Sequence, residues 1–459
     1  MQIGQIIHKP RYRKKHAYTN PTRTIALVFL LIILCGALLL MLPFSSRDGK
    51  SCGVLPALFT ATSSTCVTGL VLYDTWTQWS AFGQGIILIL IETGGLGFIS
   101  MASFVIFVLR KKVGLKQRMV IAQAFSLDEM EGVVKLQKRV IGGSVAIQLT
   151  GAAVLIARLW PQYGMKRAII WGVFHSVSAF CNAGFDILGS IAPGASMAPF
   201  RSDPIVCITL MLLIVLGGLG FFVWEELATK RSLRKCSIYT KLVLIASSGL
   251  ILLGAGLTML LEWNNPQTLG NMPVGTKILN AFFQSVTLRT AGFASFDQGG
   301  LTEGGKAVSV LFMLIGGSSG STAGGIKTVT VLVLILFLYA RIRGRRDVTV
   351  FRRTVPGEKV VDALTLTTLV ALLAVLGAVF LCVANPVSFL DALYETSSAI
   401  GTVGLTTGLT PGLGVASQIL IIVFMYFGRV GLLTLSVGFL MGDRAQERYR
   451  YAYTNILIG

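Results

Sequence analysis

Apolar stretches of about 20 residues recur along the whole chain, separated by short polar or basic segments. A run of that length spans a hydrocarbon core of about 30 Å, so each is predicted to be a transmembrane helix. Apolar segments of about half that length alternate with the long ones. The pattern divides the chain into four units, each a long helix, a half-length helix, a glycine-bearing loop and a second long helix. In the first unit the predicted helices are 24–42, 55–65 and 85–109; in the second, 140–160, 168–180 and 205–224. In the third they are 239–261, 277–287 and 307–339; in the fourth, 360–383, 388–400 and 417–440. The expected fold is an all-α membrane protein: eight transmembrane helices in four pseudo-symmetric helix–pore loop–helix repeats around one ion pore. An N-terminal cytoplasmic segment, 1–23, would precede repeats at 24–118, 119–235, 236–353 and 354–459.

Four short segments match one another at intervals of about 110 residues: CVTGL (66–70), CNAGF (181–185), RTAGF (289–293) and GTVGL (401–405). An aromatic stands ten residues before each glycine: Phe59, Phe174, Phe282 and Tyr394. Self-similarity at a fixed period means one structural unit used repeatedly. Non-helical backbone is tolerated at membrane depth only where protein covers it or where it lines water. The four loops are therefore predicted to surround a cation path, with one polypeptide supplying what a tetrameric channel draws from four subunits.

Composition agrees. The 459 residues are 53% hydrophobic and 13% charged, whereas soluble domains carry about 25% charge; a soluble catalytic domain is excluded. The net charge of +20 gathers at 9–23, 110–118, 230–235 and 341–353, each beside a predicted span. Positive flanks mark the cytoplasmic side. An even number of spans then puts both termini in the cytoplasm, and the glycine loops enter from outside. Nucleic-acid binding is disfavoured, because no aromatic-rich module accompanies the basic clusters. The seven cysteines form no CxxC pair and read as buried thiols without a disulfide framework. His8, His16 and His175 lie far apart, and no nucleophile–base grouping points to an enzyme. The first apolar run is too long for a signal-peptide core and is read as a retained helix.

A dehydrated monovalent cation needs oxygen ligands, and carbonyls from four equivalent strands can form stacked rings. The candidate ligands are Cys66, Val67, Thr68 and Gly69; Cys181, Asn182, Ala183 and Gly184; Arg289, Thr290, Ala291 and Gly292; and Gly401, Thr402, Val403 and Gly404, with K+ placed at the four glycines. Glycine admits backbone conformations closed to other residues, and a side chain there would crowd the path. Each half-helix precedes its loop, so its partly negative C-terminal end favours a cation. The loops hold no Asp or Glu, which favours potassium over calcium and leaves sodium open. No covalently bound cofactor is expected.

Two features break the symmetry. The stretch LIGGSSGSTAGGIKT (314–328) is too rich in Gly and Ser for a helix interior. It is predicted to unwind into an intramembrane gating loop formed by Gly316, Gly317, Ser318, Ser319, Gly320, Ser321, Thr322, Ala323, Gly324 and Gly325, with Lys327 at its end; a kinked helix is the alternative. Arg429 stands alone in the apolar fourth closing helix, and a charge at membrane depth faces an aqueous cavity or a partner. It either sets a cation barrier beneath the filter or pairs with an acid such as Glu92. Arg289 is expected to hydrogen-bond carbonyls behind the filter. Glycines also recur in the closing helices, at Gly94 to Gly97, Gly217 to Gly220, Gly316 with Gly317, and Gly428 with Gly431. They either allow close helix packing or mark bends around a cavity.

The segments SVSAFCNAGF, SVTLRTAGF, GGSSGSTAGGIKT and the lone Arg429, in that order, resemble the Ktr/Trk/HKT superfamily of potassium transporters. The resemblance runs from residue 24 to the C-terminus. Without an extra N-terminal helix pair, the chain is more similar to the KtrB branch than to TrkH. The resemblance implies a homodimer in the cytoplasmic membrane with one pore per subunit. It implies a cytosolic ring of KtrA- or TrkA-type subunits, whose bound ATP or ADP moves the intramembrane loop. It assigns potassium coordination to Gly69, Gly184, Gly292 and Gly404. Family members with serine at the first position tend to pass sodium, so potassium selectivity is implied; several Ktr systems depend on sodium, which makes Na+ the second candidate ion. The expected function is potassium uptake. A secondary transporter of another small solute is the alternative, disfavoured because such proteins often use inverted repeats whereas these units share one orientation.

Overall fold

The structure, a computed structural model, describes residues 21–97, 133–345 and 347–431. The predicted helix ends 98–109 and 432–440, the basic cluster 110–118, most of the N-terminal segment 1–23 and the C-terminus lie outside the described residues. The first unit holds α1 (Pro21–Leu40), α2 (Val54–Thr65), the short α3 (Thr75–Gln78) and α4 (Ala81–Gly95). The second holds α5 (Val133–Tyr163), α6 (Met165–Phe180), α7 (Pro204–Leu219) and α8 (Phe221–Lys230). The third holds α9 (Ile238–Glu262), α10 (Val274–Thr287), α11 (Glu303–Leu314) and α12 (Thr328–Ile342). The fourth holds α13 (Gly357–Ala384), α14 (Phe389–Gly401) and α15 (Val415–Val430). Among the described residues the sheet is one antiparallel hairpin, β1 (Thr349–Val350) with β2 (Arg353–Thr354).

Side-chain placement is that of a protein in lipid. Leu31 and Leu38 on α1, Leu252 and Leu260 on α9, and Leu372 and Val383 on α13 face outward and exposed. Hydroxyls go inward: Thr62, Ser63, Ser64 and Thr65 on α2, Ser176 and Ser178 on α6, Ser285 and Thr287 on α10, and Thr396, Ser397 and Ser398 on α14 are all buried. Outward leucine is costly in water and free in hydrocarbon, while inward hydroxyls bond carbonyls, as Ser64 Oγ does by donating to Thr60 O at 2.7 Å. The chain is thus a multi-pass membrane protein. Length and composition among the described residues identify three spans, Gln137–Tyr163, Ile238–Glu262 and Gly357–Ala384, and a fourth if α7 and α8 count together. Shorter apolar helices lie at Ala26–Leu40, Ala81–Gly95, Thr328–Ile342 and Val415–Val430, and the predicted spans 85–109 and 417–440 run on beyond the described residues.

The expected helix 205–224 is broken: α7 and α8 meet at 95° about Gly220, whose φ is +95°. Both roles proposed for the closing-helix glycines occur, at different residues. A Cβ on Gly94, Gly217 or Gly428 would collide with the carbonyl of Thr65, Phe180 or Ile400, the last turn of that unit's own half-helix. Three residues later, Gly97, Gly220 and Gly431 take φ of +81°, +95° and +94°, where the helix ends or turns. The first glycine of each pair permits close packing, and Gly220 permits the bend between α7 and α8.

The half-helices are enclosed by long ones: α2 packs on α1 and α4, α6 on α5 and α7, α10 on α9, and α14 on α13 and α15. Each closing helix also packs on the half-helix of the next unit, α4 on α6, α7 on α10, α11 on α14 and α15 on α2. Four units in sequence order thus close into a circle.

Candidate functional site

All four half-helices end alike. The residue two before each glycine is left-handed although none is glycine: Val67 (φ +57°), Asn182 (+59°), Thr290 (+66°) and Thr402 (+53°). For β-branched Val and Thr this conformation is a genuine outlier, costing on the order of 1–3 kcal/mol each. Backbone bonds hold it. The N–H groups of Thr68, Ala183 and Val403 donate back five residues to Ser63, Ser178 and Ser398 carbonyls, each at 2.8 Å, closing a Schellman-type turn. In the third unit Ala291 N–H instead donates to Thr287 O at 3.0 Å.

The loops meet. A Cβ added to Gly69 would stand 2.5 Å from Ala183 O, one on Gly184 2.7 Å from Ala291 O, and one on Gly292 2.5 Å from Val403 O. One on Gly404 would collide with Thr68 O and lie 2.9 Å from the Gly69 Cα, which completes the circuit. The four glycines, from positions 69 to 404, are therefore neighbours, each facing the carbonyl that precedes the next glycine. Any side chain here would fill their shared space. The loop residues Cys66, Val67, Thr68, Cys181, Asn182, Ala183, Thr290, Ala291, Thr402 and Val403 are all buried. The hydroxyls of Thr68 and Thr402 are buried without a hydrogen-bond partner. The C-terminal ends of α2, α6, α10 and α14 converge on this ring, and their partial negative charges add.

Hydroxyls one turn back fix the loops from behind, in two ways. Gly69 N–H donates to Ser63 Oγ and Gly404 N–H to Ser398 Oγ, both at 3.1 Å. Ser178 Oγ donates to Phe185 O and Thr287 Oγ1 to Phe293 O, both at 2.7 Å.

Residues 315–327, between α11 and α12, are non-helical and lie against the C-terminal side of the ring. Thr322 Oγ1 donates to Phe180 O at 3.1 Å, and Ser318 N–H to Gly218 O at 3.0 Å. A Cβ on Gly324 would collide with Thr402 Oγ1, and one on Gly325 would sit 3.3 Å from Gly401 O. Lys327 Nζ folds back on Ala323 O at 2.8 Å. Tyr239 Oη donates to Ser319 O at 3.0 Å, and Phe221 N–H to Gly320 O at 2.8 Å, so α8 and α9 also hold this loop.

Arg429 joins the loop to the first unit, donating to the carbonyls of Thr322 and Gly94 and, at 3.1 Å, to Gly95 O. The pairing with Glu92 is not formed. Glu92 instead accepts from Gln148 Nε2 at 3.0 Å and from the Cys181 thiol at 3.3 Å. Arg289 does not brace loop carbonyls either: its guanidinium donates to Ser247 Oγ on α9 at 3.2 Å.

Three buried side chains find partners that only the structure shows. Glu395 on α14 accepts from Thr406 Oγ1, from Thr407 N–H at 3.0 Å and from Thr410 Oγ1 at 2.6 Å, and so fixes the exit of the fourth loop. Its signal in the sequence is a second acid inside a half-helix, beside Asp391. His175 bonds Trp171 O through Nδ1 at 2.7 Å, which leaves Nε2 to accept from Ile187 N–H at 3.4 Å, three residues past Gly184. Tyr394, the aromatic ten residues before Gly404, donates to Gln298 Oε1 at 3.0 Å.

Residues 7–448 match the family TrkH, described as cation transport protein. The chain is 38% identical to the potassium/sodium uptake protein NtpJ of Enterococcus hirae, over 99% of this chain and 100% of that protein. It is 39% identical to the Ktr system potassium uptake protein B of Bacillus subtilis, over 94% of this chain and 95% of that one. The crystal structure of the potassium transporter TrkH from Vibrio parahaemolyticus superposes with a TM-score of 0.71 at 18% identity, covering 94% of this chain and 87% of that one. That likeness is one of fold.

Proposed function

This chain belongs to the TrkH cation transport family, and on that premise we propose that it takes up potassium across the cytoplasmic membrane. The observation that carries the proposal is the closed circuit of Gly69, Gly184, Gly292 and Gly404, each against the preceding carbonyl of the next loop. Four strained, braced strands can offer main-chain oxygens to a dehydrated K+ at a cost already met in folding. The sixteen loop residues then form the filter, and the four half-helix C-termini stabilise the ion. The relatives named for potassium and for potassium/sodium uptake support the same ion class, with Na+ as the second candidate.

The finer reading has four helix–loop–helix repeats, eight crossings and cytoplasmic termini. The 315–327 loop is the gate: it lies against the ring and is held by hydrogen bonds, close glycine contacts and the buried side chains of Ala323 and Ile326. Arg429 sets the barrier there, through its charge and its grip on the loop. Similarity to a Ktr system B component supports a homodimer that works with a cytosolic nucleotide-binding regulatory subunit of KtrA or TrkA type. The test is complementation: the chain should restore growth of a potassium-uptake-deficient bacterium on low potassium, and purified protein in liposomes should carry 86Rb+ or K+. A well-expressed chain that does neither defeats the proposal.

A further inference from the structure

Position −3 from the ring glycine is neutral in three loops, Cys66, Cys181 and Gly401, and charged in one, Arg289. Arg289 is buried, 6% exposed. Among the described residues its guanidinium donates to the neutral hydroxyl of Ser247, and its Nε has no partner. The ion pairs formed among the described residues do not include it. The guanidinium borders a small cavity with Ile214, Val215, Gly218 and Val286, none of which supplies a counter-charge. It sits one residue past Leu288, the C-cap of α10. An uncompensated buried charge is costly, and the partial negative charge adjacent to it in the chain is that of the α10 terminus. The Arg289 charge therefore offsets part of what that terminus offers an ion.

We infer that the Arg289 guanidinium sets the affinity of the four-glycine ring for its cation, weakening the hold of the third unit so that the ion is bound chiefly by the other three. The inference rests on the potassium-uptake reading above. A fixed charge behind one strand acts on every monovalent cation alike. It therefore changes how tightly ions are held without changing which ion is preferred. A residue that merely braced the loop would do the reverse, since deforming a ring of carbonyls alters the choice between K+ and Na+.

The experiment measures half-saturating K+ and the ratio of Na+ to K+ inhibition in liposomes, with protein amount determined in the same membranes. Arg289→Gln is expected to lower half-saturating K+ on the order of tenfold with the inhibition ratio unchanged, while Arg289→Lys stays close to the parent. Ser247→Asp, which gives the intact guanidinium a counter-charge, is expected to shift affinity in the same direction as Arg289→Gln. An unchanged affinity in Arg289→Gln overturns the inference, as does an equal shift in the Gln and Lys variants or an altered ion ratio. Where Arg289→Gln fails to accumulate, Ser247→Asp decides, and unchanged affinity there overturns it. A parent chain that carries no K+ defeats instead the reading on which the inference rests.

Discussion

Arg429 on α15 grips the Thr322 carbonyl, 107 residues earlier in the chain, while the same guanidinium holds the carbonyls of Gly94 and Gly95 at the end of α4. One side chain thus pins the 315–327 loop to the first unit and places a positive charge where the two meet. Removing it takes away both the pin and the charge. Arg429→Ala is expected to speed K+ uptake on the order of tenfold, the change made by about 1.4 kcal/mol of barrier. Initial influx per amount of membrane-inserted protein measures it; a folded variant with equal or slower influx refutes the role.

The loop itself carries the second prediction. Shortening it within 316–325 removes the contacts to Phe180, Gly218 and Thr402 without touching the half-helices. Basal flux should rise several-fold, while thermal stability in detergent falls by no more than about 1–2 kcal/mol. If basal flux is flat in a protein of parental stability, the loop is not an obstruction.

Gly69 has a φ of +96°, and a Cβ there would stand 2.5 Å from Ala183 O. Gly69→Ser is expected to push the first strand out of register and make the four carbonyls unequal, lowering the preference for K+ over Na+ by roughly tenfold, a difference of about 1.4 kcal/mol. Competition of Na+ with K+ uptake reads this directly. An unaltered ratio would mean that the ring does not choose the ion.

Asp186 lies two residues beyond Gly184, outside the spanning helices and half-buried. Its carboxylate accepts from Leu188 N–H at 3.1 Å. Asp186→Asn removes a negative charge two residues from Gly184 and should raise half-saturating K+; an unchanged half-saturating K+ removes Asp186 from the ion's approach.

Much of the local architecture is legible in the chain. The half-helix expected at 55–65 is Val54–Thr65, the one at 388–400 is Phe389–Gly401, and the Gly/Ser-rich stretch at 314–328 is non-helical from 315 to 327. These features depend on run length and on residue propensity, which neighbours in sequence determine. The breaks were less legible. GGLG at 217–220 is compatible with close packing or with a bend, and only the packed Phe180 carbonyl on one side and the turn into α8 on the other assign one role to each glycine.

By itself, the sequence determined that this is an apolar, helical chain with four related glycine loops, two isolated arginines near them and one unwound stretch. Tertiary structure alone decided what those arginines touch: Arg429 takes carbonyls from α4 and the loop where an acid was the alternative, and the Arg289 guanidinium takes the Ser247 hydroxyl. It also decided that β-branched Val67, Thr290 and Thr402 would be left-handed, against their own preference. The physical reason is common to all of these. A propensity is settled within a few residues, whereas a buried charge or a strained dihedral is settled by whichever distant group closes its hydrogen bonds, and that group is in place only once the four units have closed their circle.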